Sequence, residues 1–410
     1  MMIAHYLTVV WKRRFTGLPL AFCCVLICTA VTAAPAAPSR AVTPIDGRAQ
    51  DLVKAIESPP LGLPAMAIPA DNAVTESRIA LGRKLFFDRR LSFNRTLSCA
   101  MCHVPEQGFT QNEMRTPVGI EGRFVKRNAP ALYNVGYRTR LFHDGREFSL
   151  ENQVWQPLLK DNEMANPSVG FVIETLANAA DYQGLFEAAY SRGPGVETIG
   201  QALASYQRGL VSAASPFDRW YFGGESEAMG ESARRGFELF SSTGCTSCHT
   251  LGESHALFSD GQFHDTGIGY ARSMWGQETA VSSVQLAPGV EIVPTVNFDT
   301  PQENDLGRYE ATGRASDRWK YLTPSLRNVA VTAPYMHDGS MPDLASVLRF
   351  YNSGGIAHPD LDPLLRPLSL DQSQLNDLES FLSALTGDNI ERLAADGRST
   401  DIGDTGVEQR

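Results

Sequence analysis

Cys99-Ala100-Met101-Cys102-His103 and Cys245-Thr246-Ser247-Cys248-His249 decide how this chain is read. Cys-x-x-Cys-His is the attachment signature of a c-type haem. Two thiols three positions apart add to the vinyl groups of one porphyrin, and the adjacent imidazole lies under the iron. Cys-x-x-Cys also occurs in thioredoxin-like and zinc sites. The first wants a single motif in a βαβ pattern, which the sequence lacks. Zinc would find four ligands by pairing the motifs, but would not require a His directly after each. The reading is two covalently bound haem c groups, held by Cys99, Cys102, Cys245 and Cys248, with His103 and His249 as iron ligands. What distinguishes the two irons must come from the opposite faces.

The chain has seven cysteines; Cys23, Cys24 and Cys28 lie in an N-terminal apolar run and the other four in the motifs. None remains for a disulfide. Lys12, Arg13 and Arg14 precede the apolar Leu18 to Val31, and Thr32-Ala33-Ala34 follows, as in an export signal with cleavage near Ala33. The apolar run is short for a span of about 20 residues, so no stable membrane insertion is expected after cleavage. Because c-type haem is attached outside the bacterial cytoplasm, the expected address is the periplasm. The net charge of −10 would become −13 on loss of Lys12, Arg13 and Arg14, which argues against nucleic acid.

The expected organisation is a signal peptide over 1–33, a Pro/Ala-rich leader and loosely docked arm over 34–70, a haem domain over 71–225, a second over 226–392 and a disordered acidic tail over 393–410. Periodicity and breakers predict helices over 77–86, 147–159, 172–180, 183–190, 198–210, 231–240, 343–351 and 373–385. Residues 251–321 show little periodicity and read as an elaborate loop region or an insertion. The fold class is mainly α: two c-type cytochrome-like helical domains, each with one covalently bound haem, the haems near the domain interface.

Around the motifs stand Arg127-Asn128-Ala129-Pro130, Asp144-Gly145-Arg146, Leu150-Glu151-Asn152-Gln153, Glu163-Met164, Thr323-Pro324-Ser325-Leu326-Arg327-Asn328 and Ala333-Pro334-Tyr335-Met336-His337-Asp338-Gly339. In that order over Thr75 to Leu385, the chain resembles the bacterial di-haem cytochrome c peroxidase family, including its MauG-type branch. The resemblance implies a site for hydrogen peroxide opposite His103, lined by Gln153, Pro157 and Glu163. There a carboxylate moves a proton between the two peroxide oxygens, so Glu163 is the expected acid/base. Gln153 would hold water or peroxide, and Pro157 would offer a wall without an N–H. Many members plug this face with a His; the corresponding position is Ile120, and Met114 is a poor substitute ligand, so the His103 iron is expected open. Opposite His249 most peroxidases place a Met. Alignment puts Tyr351 there, as in the MauG-type branch, with Met336 and Met341 as neighbouring alternatives; a phenolate lowers the potential of its iron.

The family's inter-haem Trp is replaced by His143, whose role stays open between packing, proton transfer and iron ligation. Tyr133, Tyr137 or Trp155 offer other electron routes. The resemblance also implies calcium between the haems at Asn128, Thr332 and Pro334, where oxygen donors suit the ion.

The expected function is reduction of hydrogen peroxide with electrons from a small cytochrome c or cupredoxin. The alternative is a MauG-like enzyme whose peroxide-derived high-valent haems oxidise side chains of a protein substrate; Thr243-Gly244 before Cys245 lacks a Trp that would relay such electrons. A non-catalytic electron-transfer cytochrome is the third reading. A homodimer is compatible with all three.

Overall fold

The computed structural model describes residues 47–275, 284–287, 290–292 and 304–398. The expected signal peptide and the first part of the leader lie outside these residues. Among the described residues no helix is long and apolar enough to cross a membrane. The structure is mainly helical, with two two-stranded antiparallel pairs: Phe263–His264 against Tyr321–Leu322, and Val284–Ala287 against Val290–Ile292.

Each haem motif follows a helix that crosses a second, later helix. Glu76–Phe87 is capped by Thr75, whose Oγ1 accepts the Arg78 amide, and buries Ile79, Leu85 and Phe86. It crosses Val196–Gly209, and Gly82 makes the crossing: a Cβ there would lie 1.9 Å from the Ala202 carbonyl. Glu231–Ser242 crosses Gln372–Ser383 in the same way, with Gly236 against the Asp377 carbonyl at 2.0 Å. Backbones this close require a residue without a side chain.

Around these crossings lie two apolar cores. One gathers residues from Ala49 to Ala213, among them Phe86, Phe186 and Tyr206. The other runs from Phe217 to Leu385. At its centre Phe217 sits 5.3 Å from Phe258 and 5.7 Å from Phe381, both edge-on, an arrangement aromatic rings favour. Arg327 ties chain segments from the two cores together. Its guanidinium pairs bidentately with Asp218 at 2.9 Å and donates to the carbonyls of Ala256 and Gly62.

The backbone repeats itself around the motifs. Pro130, Asn134, His143 and Gly145 recur as Pro324, Asn328, His337 and Gly339, each 194 positions later (324 − 130). Asn134 and Asn328 both take positive φ, 59° and 60°, as do Gly145 and Gly339, both 64°. The Leu141–Glu147 bridge answers the Tyr335–Met341 bridge. Ser149 and Asp343 each cap the helix that follows. The same offset sets Pro157 against Tyr351. This internal repeat was legible in the sequence and is absent from the reading above.

Several expectations need correction. The predicted 147–159 helix is two short ones, Leu150–Gln153 and Trp155–Leu159; Pro157, within the second, has no N–H to extend the first. The 34–70 arm is partly folded: Gly47–Glu57 is helical, and Ala49, Leu52, Ile56, Leu63 and Met66 join the first core. The stretch 251–321 holds helices Ile268–Trp275 and Tyr309–Thr312, the strand Phe263–His264, and both strands of the pair Val284–Ala287 and Val290–Ile292. The tail expected from 393 begins as helix: Ile390–Arg398 packs Leu393 into the first core, and Asp396 pairs with Arg83 in the interior. Its polarity misled because one of its charged residues, Asp396, is matched by a partner in the interior.

Candidate functional site

Cys99–Cys102 is itself a helical turn, so both thiols and His103 issue from one short unit. The His103 amide donates to the Cys99 carbonyl, and its Nδ1 lies 3.0 Å from the Phe109 carbonyl. His249 repeats this with the Phe258 carbonyl at 2.8 Å. Phe109 and Phe258 both sit at positive φ, 54° and 52°, which turns these carbonyls toward the rings. An Nδ1–H donated to a carbonyl fixes the tautomer and leaves Nε2 with its lone pair. Burial lowers both imidazole pKa values, which favours the neutral, metal-binding form. Burial also pushes the thiols of Cys99 and Cys102 up to about 12.

Glu163 reaches the first motif. Its carboxylate is close enough that its charge raises the pKa of both Cys99 and Cys102. Burial raises its own pKa, against the opposing pull of Arg146 and Lys160. Three backbone bonds set its place: its amide to the Lys160 carbonyl at 3.0 Å, the Met164 amide to the Pro157 carbonyl at 3.1 Å, and the Ile120 amide to its own carbonyl at 2.9 Å. Pro157, Glu163 and Ile120 are thus brought together, Ile120 being 2 % exposed. Gln153 is half-buried on the preceding turn. Met114 is exposed.

The second motif opens on a cavity of about 320 Å³ lined by Cys245, Cys248, His249 and Tyr351, with Leu344, Leu348 and Leu365 as apolar wall. Burial, with the neighbouring Cys248 and Cys245, pushes the Tyr351 phenol up to about 12. Two thiols, an imidazole with a free Nε2 and an apolar cavity fit a covalently held haem. Met336 lines the same cavity; Met341 is not among its lining residues.

His143 also lines this cavity, as do Asn128, Thr332 and Pro334. Its Nε2 lies 3.0 Å from the Asn128 carbonyl, and burial together with Arg127 lowers its pKa to about 4. Its repeat partner His337 was missed by the sequence reading. His337 stacks on Tyr321 with ring centroids 3.6 Å apart, its Nε2 has no hydrogen-bond partner among the described residues, and burial lowers its pKa to about 3. The recurrence of His-Asp-Gly at 143–145 and 337–339 is the signal that could have found it. Behind both, Arg127 binds Asp144 at 2.6 Å and Asp305 at 2.6 and 2.7 Å. Of the other electron routes, Tyr133 lines the cavity, while Trp155 packs on the first core.

Two haem-binding motifs on a repeated helical plan define a di-haem c-type protein. The family model for di-haem cytochrome c peroxidase matches residues 76–226. The chain is 34% identical to the methylamine utilization protein MauG of Methylorubrum extorquens, over 88% of this chain and 92% of that one. It is 34% identical to cytochrome-c peroxidase IdrP1 of Denitromonas iodatirespirans, over 80% and 86%. A solved MauG-like protein associated with microbial copper homeostasis superposes with a TM-score of 0.65 at 29% identity, covering 81% of this chain and 96% of that one. The chain belongs to the di-haem cytochrome c peroxidase family, and is a peroxidase-type oxidoreductase carrying two c-type haems.

Proposed function

We propose that this enzyme works in the periplasm, reducing hydrogen peroxide at the His103 haem with electrons that enter from a small cytochrome c or cupredoxin through the His249 haem. The observation that carries this division is the buried Glu163 carboxylate beside the first motif, with Ile120 packed against its backbone. Haem held by Cys99, Cys102 and His103 would supply the redox-active iron needed to reduce peroxide. Glu163 accepts the proton of the near peroxide oxygen and returns it to the leaving one. Gln153 orients peroxide through its amide. Pro157 and Ile120 keep competing donors and ligands off that face.

At the second site His249 and Tyr351, which line one cavity, would hold the iron of the second haem, and His143 packs there as a hydrogen-bonded spacer. Tyr351 favours a second reading, in which oxidising equivalents held at this haem act on side chains of a protein substrate. A calcium ion bound by Asn128, Thr332 and Pro334 would stiffen the seam; the buried Asn128 Oδ1, without a hydrogen-bond partner among the described residues, supports an oxygen-seeking cation there.

Electron paramagnetic resonance of the resting ferric protein tests the assignment. One high-spin and one low-spin signal are expected, the first responding to peroxide. Two low-spin signals would sink the open His103 site. Turnover with reduced small cytochromes separates the two activities: rapid donor oxidation supports the peroxidase, and a long-lived oxidised enzyme that ignores donors supports the second reading.

A further inference from the structure

We propose that two reciprocal histidine–carboxylate pairs clasp the 352–370 loop to residues 264–267 and so position Tyr351 across the cavity from His249. The proposal rests on the reading of Tyr351 as the residue facing that iron.

Tyr351 is the penultimate residue of the helix Leu344–Asn352. The loop that follows leaves and returns at Asn352. The Asn352 side chain accepts the Leu370 amide at 2.9 Å and donates to the Leu370 carbonyl at 3.0 Å, and its carbonyl accepts the Leu368 amide at 3.0 Å. The loop is therefore closed at its base beside Tyr351 and supplies Leu365 and Leu368 to the cavity wall.

The far part of the loop is fastened to consecutive residues on the other side. His264 Nδ1 is hydrogen-bonded to Asp362 Oδ2 at 2.6 Å; Asp265 Oδ2 lies 3.2 Å from His358 Nε2, a close polar approach without hydrogen-bond geometry among the described residues. Each side thus contributes one imidazole and one carboxylate. The second nitrogen of His264 is held by Asp260 at 2.9 Å. Between the pairs, the Ile356 amide donates to the Thr266 carbonyl and the Asp362 amide to the Asp265 carbonyl, each at 3.1 Å.

The His358–Asp265 pair is buried, with side-chain exposures of 1% and 0%. The His358 ring is stacked on Tyr270 at 4.4 Å and 8° and meets Trp319 edge-on at 5.9 Å. Changing one of these two enclosed polar groups alters what the other faces in the interior, so its loss loosens the attachment while the Asn352 base stays closed. These are positioning residues: none lines the face where peroxide would react.

The test uses the haem-loaded enzyme. His358→Phe keeps an aromatic ring between Tyr270 and Trp319 but removes the nitrogen that meets Asp265; Asp265→Asn is the second variant if the first fails to fold. Both haems should remain attached. Amide exchange over 353–368 should accelerate at least tenfold, and the ferric signal of the His249 haem should shift or split while that of the His103 haem is unchanged. Unchanged exchange in the loop, or acceleration spread evenly over the chain, overturns the clasp. Faster loop exchange with an unaltered His249 signal overturns its positioning of Tyr351. Tyr351→Phe is the control for the underlying reading: if that variant keeps the wild-type His249 signal, the ligation reading fails, and the clasp is judged on exchange alone.

Discussion

Glu163 owes its proposed role to where its backbone is tied. A carboxylate in water would stay ionised through the physiological range; burial raises the pKa of this one. As the proton acceptor it must start ionised, so peroxide consumption should fall as pH drops through its raised pKa. A Glu163→Gln enzyme should keep both haems, lose that acid limb and turn over at least ~10²-fold more slowly, within the usual span for a lost acid/base group. Stopped-flow peroxide consumption against pH reads both effects. At the second site, Tyr351→Met should raise the reduction potential of the His249 haem, because a neutral thioether replaces an anionic oxygen; potentiometric titration gives the sign. The haem residues were legible because chemistry fixes their spacing. Glu163, Gln153 and Tyr351 were nominated only through resemblance, since a lone Glu or Tyr carries no local signature. His337 escaped because no single-site chemistry calls for it.

Among the elements, the helix Ile390–Arg398 was read least well. It looks polar and solvent-seeking, yet it returns to the first core and sets Asp396 on Arg83. Neither partner betrays this from its own neighbourhood, since they lie more than three hundred positions apart. Asp396→Ala should cost about 3–5 kcal/mol, the usual penalty for stranding a buried charge, read as a lowered denaturation midpoint. The helices Glu76–Phe87 and Glu231–Ser242 were predictable to within two residues, because apolar spacing and start signals agreed. The 147–159 stretch was over-joined: its pattern runs on, but Pro157 and the turn at Val154 divide it. The excursion 251–321 gave no period because its short pieces are held by partners elsewhere, such as Phe263–His264 by Tyr321–Leu322.

For the molecule as a whole, the seam around His143 and His337 sets the response to acid. Both imidazoles fold with pKa values of about 4 and about 3, below the 6.5 of a free histidine. The unfolded chain therefore takes up protons that the folded one refuses, so stability should decline as pH falls from about 6.5 toward 4. Below that range Asp144 and Asp305, whose pKa values are held down in their pairing with Arg127, add a further loss as they protonate. Urea midpoints at pH 7 and pH 4.5 check the first part; a flat profile between them would contradict it.

The 194-residue offset means that the chain carries its own comparison. Pro157 and Tyr351 are one position met twice, Pro157 in the short helix Trp155–Leu159 and Tyr351 near the end of the unbroken helix Leu344–Asn352. In one copy the position has lost even its backbone proton; in the other it has gained an acidic oxygen. One plan met twice thus carries two unlike faces wherever residues at matching positions differ in chemistry.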